Sequence, residues 1–491
     1  MRTSPAVSEL SVRLADGTVD TCRVELESQQ VFAQSVLLNR GGYSYLPAPA
    51  RPEETPRTTT PPEAEMPSLP WTFRVGSVAL TDNSAEYGQL HHQPAAGFDP
   101  AFISVAPLNL TVDSVYNRGA DIALRIRRIA FTERCGLSVR DMTGSVGMDA
   151  AGISLSGIDL QTDFSRIQAD LSAGPGILKL DPDAPLRANL SADLDTKDLK
   201  YLYPSAIPPV LDDRIVRMTF SASGTLGDIA KTQLDVSSPG HIALQAAGAA
   251  KNVLDPDRME ASARFRGDFR DLSFLKALLP DSALRRRVAI PAQIQLRGSA
   301  DANRGAFSTA STLSADGGEL NEKGRLAPRR QTYDVELRCD SLPLNRFLPA
   351  DSLGIIDLAL QARGAGVNPL LPRTRTNIRA QGDRAEYRGH DFGGIGRDAA
   401  LDSQRLTGRL SDLDSALRFR LFVSGTLTER EQHADLWGNV FGFDLAALGV
   451  SPEPLGGSFA LKAAASAAGT GNYAASIAFD SLEIRNRYRT A

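Results

Sequence analysis

The sequence predicts an all-β fold: an elongated, repetitive antiparallel sheet, curled into a hydrophobic trough, with short helices between the repeats. Apolar residues alternate with polar ones along most of the chain, as in Ile122, Leu124 and Ile126. Turn residues such as the Asp-Gly-Gly at 316–318 separate these segments at short intervals. Helical periodicity is brief, and its best example, the leucine-rich segment 272–279, makes only about two turns.

Composition excludes several classes of protein. The 491 residues include 54 Lys+Arg and 58 Asp+Glu, giving a net charge of −4, and 42% are hydrophobic. The chain is therefore neither broadly disordered nor typical of nucleic-acid-binding proteins. The cysteines Cys22, Cys135 and Cys339 lie too far apart for a zinc motif or a disulfide framework. No run of 18 apolar residues and no signal peptide is present in the sequence.

The first part of the chain divides into three segments. Residues 1–46 are predicted to be the end of an upstream β repeat, in which the Asp-Gly at 16–17 forms a hairpin turn between two extended stretches. Residues 47–70 are rich in Pro and Thr and are predicted to be a loop or linker. A β unit is predicted over 71–190.

The remainder, 191–491, is predicted to consist of tandem helix-plus-strand β repeats, truncated at the C-terminus. Four short helical segments, each leading toward a proline, begin the repeats; they are 198–202, 272–279, 344–348 and 443–448. Strands that end on glycine follow the prolines. The basic run 285–287 is interpreted as a solvated loop after the second helix, with contact to lipid headgroups as the alternative.

The apolar face of such a sheet needs a partner. Either the sheet folds into a β-sandwich or solenoid with a self-filled core, or it forms a trough that meets an apolar ligand. Pattern alone leaves both open, and a register error of one residue would move a strand's whole apolar set to the other face. The candidate groove-lining residues are Ile122, Leu124, Ile126, Ile153, Leu155, Val216, Met218, Phe220, Ile294, Leu296, Ile356, Leu358, Leu360, Phe419, Leu421 and Val423.

Catalytic and metal-binding patterns are missing from the sequence. The five histidines do not have the spacing of a helical metal site, and the His91-His92 pair is interpreted as part of a solvated loop. Asp193, Asp195 and Asp198 lack the twelve-residue calcium loop and are interpreted as strand-end and helix-cap carboxylates. Phosphate-binding, dinucleotide-binding and serine-nucleophile motifs are also missing. We therefore expect neither an enzyme, nor a cofactor, nor a metal site.

Specific residues resemble a known family. The resemblance is carried by segments 71–87, 97–103, 108–119, 126–137 and 162–167, and by the helix-to-proline unit at 271–280. These segments resemble TamB proteins of the AsmA-like superfamily, the translocation and assembly module, and the likeness covers most of the chain from about Trp71.

The resemblance implies a location and a function. It implies a periplasmic protein, anchored in the inner membrane in its full-length form, that conducts phospholipid between the inner and outer membranes along an apolar β groove. The phospholipid acyl chains would be the ligand, and a TamA-like outer-membrane barrel would be a partner through a C-terminal part that we expect this chain to lack, like the anchor. The alternative is a structural scaffold for outer-membrane protein assembly that acts through its sheet edges.

Overall fold

The computed structural model of the chain describes residues 9–47, 69–89, 92–203, 214–272, 276, 282–468 and 472–486. Contacts between residues divide the chain into two compact units, Met1–Asp255 and Pro256–Ala491. Most of the predicted linker 47–70 lies outside the described residues.

Unit 1 contains fifteen described strands, one short α-helix and one 3-10 turn. The helix α1 spans Thr196–Leu202 and the 3-10 turn spans Ile177–Lys179. The strands are β1 (Glu9–Arg13), β2 (Asp16–Asp20), β3 (Arg23–Glu25), β4 (Gln30–Asn39), β5 (Gly42–Leu46), β6 (Leu69–Gly88), β7 (Phe102–Gly119), β8 (Asp121–Thr132), β9 (Ser138–Asp149), β10 (Gly152–Thr162), β11 (Arg166–Ala173), β12 (Pro185–Asp195), β13 (Ile215–Thr225), β14 (Ile229–Ser238) and β15 (Ile242–Lys251).

From β6 to β15 each strand pairs antiparallel with the next, so this part of unit 1 is a meander. The first strands are arranged differently. Strands β4 and β5 both pair in parallel with β6, β2 and β3 pair with β4, and β1 pairs with β5. The predicted hairpin at Asp16-Gly17 is therefore wrong, because β1 and β2 take partners from later in the chain instead of each other.

Unit 2 contains fourteen described strands, one short α-helix and two 3-10 turns. The helix α2 spans Ser282–Arg287, and the turns span Pro328–Arg330 and Leu344–Arg346. The strands are β16 (Glu260–Arg270), β17 (Gln293–Asn303), β18 (Ala306–Ala315), β19 (Gly318–Ala327), β20 (Thr332–Pro343), β21 (Leu353–Ala365), β22 (Arg375–Tyr387), β23 (His390–Phe392), β24 (Ile395–Asp402), β25 (Arg405–Leu413), β26 (Leu417–Leu427), β27 (Glu431–Asp444), β28 (Leu455–Ala468) and β29 (Asn472–Asn486).

Unit 2 is an antiparallel meander throughout its described strands, in which the short β23 pairs with β22 and β24 is the next full-length neighbour of β22. Its turns follow the predicted chemistry. Arg304 and Gly305, and likewise Asp316 and Gly317, have positive φ angles, which tight hairpin turns need and which Gly and Asp tolerate. The predicted fold class, an all-β repetitive antiparallel sheet with short helices between repeats, is confirmed.

The short helices follow the prediction in part. Helix α1 forms as predicted, with Asp195 as its N-cap, and the segment at 344–348 forms a 3-10 turn. Most of 272–279 lies outside the described residues. The predicted helix at 443–448 is wrong: Phe443 and Asp444 end β27, and a single turn follows because the Asp444 carboxylate accepts from the amides of Ala446 and Ala447.

Few apolar side chains are fully buried in the described residues, and half of those are alanines. The most completely buried large side chain is polar: Asn83, 1% exposed, on β6. Each described strand contacts mainly the strands with which it pairs. In addition, α1 contacts β12, and the turn at 344–346 contacts β21. Each unit is thus stabilised mainly by strand pairing and by packing along one face of the sheet.

Candidate functional site

The candidate site is the apolar face of each unit. Residues directly opposite each other in antiparallel strands point to the same side of a sheet, so the register identifies which side chains share a face. In unit 1, Ile122 lies opposite Met148, and Met148 lies opposite Ile153. In the neighbouring row, Leu124 and Leu155 lie opposite Val146. All six side chains therefore share one face.

The same face of unit 1 continues to the later strands. Leu155 lies opposite Leu171 on β11, which lies opposite Ala188 on β12, and Ala188 lies opposite Ala222 on β13. Phe220 is two residues from Ala222 on the same side of β13, and Met218 and Val216 follow it. The eight candidates of unit 1, which are Ile122, Leu124, Ile126, Ile153, Leu155, Val216, Met218 and Phe220, share one face.

Unit 2 has a second apolar face, which we trace in the same way. Leu296 leads through Leu313 and Leu320 to Cys339 and then to Leu358 on β21. Each of these residues lies opposite the next.

Two residues along β21, Leu360 continues the same face of unit 2. It leads through Ala380, Arg397 and Leu410 to Leu421 on β26. The eight candidates of unit 2, which are Ile294, Leu296, Ile356, Leu358, Leu360, Phe419, Leu421 and Val423, share this face.

The candidates have a characteristic burial. Ile126 is buried, at 7% exposed, and the other fifteen are half-buried. A sandwich core would leave inward Leu and Phe side chains almost completely buried, because a second layer would lie about 10 Å away. The described strands contact chiefly their ladder neighbours. Each face is therefore a half-buried apolar surface within its own unit.

Three charged residues interrupt the apolar face of unit 2 within its described strands, and sequence analysis missed them. Glu322 lies opposite Ser311, Arg397 opposite Ala380, and Asp412 opposite Phe419. The alternation Gly318, Leu320, Glu322 along β19 carried the signal for the first of them.

Local hydrogen bonds satisfy the two carboxylates on this face. The Glu322 carboxylate accepts hydrogen bonds from the hydroxyls of Thr309, at 2.7 Å, and Ser311, at 3.1 Å. Asp412 is 3% exposed and accepts from the amide of Asp414 at 2.9 Å. Burial raises the pKa of Asp412, and the negative charge of Asp414 adds to the effect. The buried site of Asp412 thus disfavours its ionised form.

A short polar cluster lies beside Asp412. The ring Nε2 of His390 lies 2.8 Å from the Asp414 carboxylate, which also accepts from the Ala416 amide. Burial alone would raise the pKa of Asp414, but the hydrogen bonds from His390 and Ala416 lower it overall.

The opposite face of unit 2 is polar and contains a cavity of about 1200 Å³ lined by residues of β16–β22 and β24. The lining includes the residues directly before and after Leu337 and Leu360, such as Glu336, Arg338 and Gln361, whose side chains point to the polar face. The residues two positions from Leu337 and Leu360, whose side chains point to the apolar face, are not in the described lining. The cavity therefore opens on the polar face, a feature that the sequence did not predict.

Cross-strand and same-strand ion pairs occupy this polar face. Arg338 lies 2.8 Å from Asp340, and Arg379 lies 3.9 Å from Asp398. Both arginines are more than two-thirds exposed, so solvent screens the two ion pairs and they contribute little to stability. The pattern is that of a solvated sheet face.

The other residues singled out from the sequence have structural positions. The basic run 285–287 forms the last turn of α2. The prediction that it is a loop is therefore wrong. Arg287 pairs with Asp351 at 2.9 Å. A helix end suits this run because cations interact favourably with the carbonyl end of a helix.

The remaining histidine and aspartate positions are also local. His92 bonds the Asp99 carboxylate at 2.8 Å, and His91 lies outside the described residues. Asp193 lies 3.5 Å from Arg217 across the ladder, and Asp198 is buried in α1. Among the described residues, no three His, Cys, Asp or Glu side chains converge as a metal site would require. Nor does the described part of the chain contain a helix with the length and apolarity to span a membrane.

Comparisons with known proteins were made for the whole chain. A scan against protein-family models finds no match. A search among curated proteins finds no match, and neither does a search among solved structures.

Proposed function

We propose that the chain is a segment of a protein that conducts phospholipid between two membranes, with the acyl chains lying on the apolar face of the sheet. The observation that supports this proposal most is the continuity of that face. In each unit the register keeps aliphatic side chains on one side of the sheet from strand to strand, although Glu322, Arg397 and Asp412 interrupt them in unit 2. Their half-buried state leaves apolar area that an acyl chain can contact.

The mechanism needs apolar area and no chemical step. Burial of one CH₂ group is worth about 0.8 kcal/mol, so complete coverage of a sixteen-carbon chain would gain roughly 13 kcal/mol. A face that contacts one side of the chain would supply roughly half of that. Because aliphatic side chains recur from strand to strand, a lipid can move along the face without breaking a covalent bond.

The location and partners are also proposals. The resemblance to TamB proteins favours a periplasmic location, anchorage in the inner membrane through a part outside this chain, and a TamA-like barrel as partner. The exposed Arg285 and Arg286 at the end of α2, in the connection between β16 and β17, offer guanidinium groups to lipid phosphates.

Native mass spectrometry with lipid extraction tests the proposal. The chain is expressed behind a secretion signal, and co-purified phospholipid is measured for the wild type and for Leu124→Glu and Leu358→Glu, which place a charge on the apolar face. The matched controls Ala123→Glu and Ala359→Glu place the same charge one residue away on the exposed polar face. We expect phospholipid in the wild type and in both controls, and at least a tenfold loss in the two face variants.

Circular dichroism checks that the β-sheet survives in all four variants. A well-folded wild type that never carries phospholipid would refute the proposal. Equal lipid occupancy in face variants and controls would refute the assignment to this face.

The scaffold alternative depends on a different part of the sheet. It requires strand edges that pair with incoming strands; among the described strands β29 pairs only with β28, so the other side of β29 is the edge that this alternative would use. Under this alternative Leu358→Glu would be tolerated, whereas a proline in β29 would abolish binding of a nascent β-barrel protein. Capture of a nascent β-barrel protein by each of the two variants separates the scaffold function from lipid conduction.

A further inference from the structure

The apolar face of unit 2 carries a single Lys or Arg side chain within its described strands. This residue is Arg397 on β24, which lies opposite Ala380 of β22 and Leu410 of β25, both on the apolar face. The register places the other Lys and Arg residues of these strands on the polar face. Arg397 is therefore the one guanidinium available to a ligand on this face of the described strands.

The guanidinium of Arg397 has no partner in the described part of the chain. It forms neither an ion pair nor a side-chain hydrogen bond there, and the residue is exposed. The carboxylate of the next residue, Asp398, points to the polar face, where it pairs with Arg379 at 3.9 Å and with Arg409 at 3.0 Å. The N–H donors of Arg397 are thus free for an acceptor on the apolar face.

The carboxylate of Asp412 does not act as a counter-ion for Arg397. Asp412 lies on the same face of β25, two residues beyond Leu410, and no ion pair joins it to Arg397 in the described structure. Burial raises the pKa of Asp412, and the positive charge of Arg397 only partly opposes this rise. Arg397 and Asp412 therefore sense each other's charge but leave the guanidinium without a contact.

Small and aliphatic side chains surround Arg397. In its own row, Leu360 and Leu421 each lie two strands away, a distance of about 10 Å at the usual strand spacing. Ala399 is the next residue of β24 on this face, and it lies opposite Gly408. The small residues leave space beside the guanidinium, while the leucines offer apolar contact on both sides of it.

This combination favours one part of a lipid over the other. An acyl chain placed over Arg397 would remove water from an unpaired guanidinium, which costs free energy. A phosphate in the same place would replace that water with charge-assisted hydrogen bonds, which Arg often forms in bidentate geometry. A phospholipid carries both groups, so its phosphate can contact Arg397 while its acyl chains cover the leucines.

We propose that Arg397 binds the phosphate of a phospholipid whose acyl chains lie on the apolar face of unit 2. This inference rests on the proposed function and adds to it the position of the headgroup. Arg397 is then a specificity-determining residue, because it distinguishes a phospholipid from a neutral diacylglycerol with the same acyl chains. The aliphatic side chains of the face contact both lipids alike.

The test compares two lipids that differ only in the phosphoglycerol headgroup. The full chain is stripped of lipid and incubated with equimolar dipalmitoyl phosphatidylglycerol and dipalmitoylglycerol in the same detergent micelles, and bound lipid is extracted and quantified. We expect the ratio of bound phosphatidylglycerol to diacylglycerol to fall about tenfold in Arg397→Met and to be largely restored in Arg397→Lys. Arg379→Met is the matched control, because it removes an arginine from the polar face of the neighbouring strand β22. This control should keep the wild-type ratio.

The outcomes separate this inference from the proposed function. Circular dichroism checks that each variant keeps its β-sheet, and Arg397→Gln is measured alongside as a second neutral variant. If both lipids bind and the ratio is unchanged in the neutral variants, or falls equally in Arg379→Met, the role of Arg397 is overturned and the proposed function stands. A wild type that binds neither lipid would overturn both. A preference for palmitate over phosphatidylglycerol in a parallel competition would overturn phosphate as the group that Arg397 binds.

Discussion

Asn83 is predicted to stabilise the arrangement of the first strands in unit 1. Its side-chain oxygen accepts from the Gly41 amide at 2.8 Å. Its amide nitrogen donates to the carbonyls of Leu38 and Thr81, each at 2.9 Å. These bonds join the connection between β4 and β5 to the long strand β6. Replacement of Asn83 by alanine removes all three.

The cost follows from what remains after the change. The Thr81 carbonyl keeps a second donor, the Arg40 amide at 3.0 Å. The buried Gly41 amide loses its acceptor, and such an orphaned donor costs about 1 to 3 kcal/mol. The hydrogen bond to the Leu38 carbonyl is also lost. Together, these losses are expected to destabilise β4–β6 by about 2 to 4 kcal/mol in Asn83→Ala. This raises the equilibrium constant for local opening of these strands roughly 30- to 700-fold.

Hydrogen exchange with mass spectrometry measures this effect. Peptides from β4, β5 and β6 should lose protection in Asn83→Ala, whereas peptides from β10 to β15 should not change. Asn109→Ala is the matched control, because its side-chain oxygen accepts only from the exposed Asp82 amide among the described bonds, at 3.1 Å. Loss of less than about 1 kcal/mol in β4–β6, or an equal loss in the control, would refute the reasoning.

Two further predictions concern pH. Burial raises the pKa of Asp412 above its value in the unfolded chain, so protonation of Asp412 favours the folded state. This contribution to folding stability is complete at pH values below the unfolded pKa and is lost as the pH rises through the folded pKa. Asp412→Asn, which can still accept from the Asp414 amide, should therefore raise the melting temperature at pH 7 but not at pH 3; a lower melting temperature at pH 7 would contradict this. Hydrogen bonds from the Ala95 amide and His92 lower the pKa of Asp99 to about 2, so this loop should lose stability only as the pH falls from about 4 to about 2. Proteolysis of the loop across that range tests the expectation, and Asp99→Asn should abolish the pH dependence.

Local pattern alone determined most of the architecture. Period-two alternation identifies strands, and short Gly-containing turns force consecutive strands to pair, so the register of a meander follows from its turns. This is why Leu296, Leu358 and Leu421 could be assigned to faces before their pairing was known. The long-range register then placed these three, which belong to different strands, on one face.

Only the tertiary structure decided the features that depend on distant partners. The choice of β5 instead of β2 as the partner of β1 depends on two strands that both pair in parallel with β6, and no local pattern encodes that choice. The hydrogen bonds of the buried Asn83 likewise depend on the backbone of Gly41 and Leu38, which are brought in from far along the chain. Alternation is a property of neighbouring residues, whereas strand partners and the desolvation of a polar group are set by residues far apart in sequence.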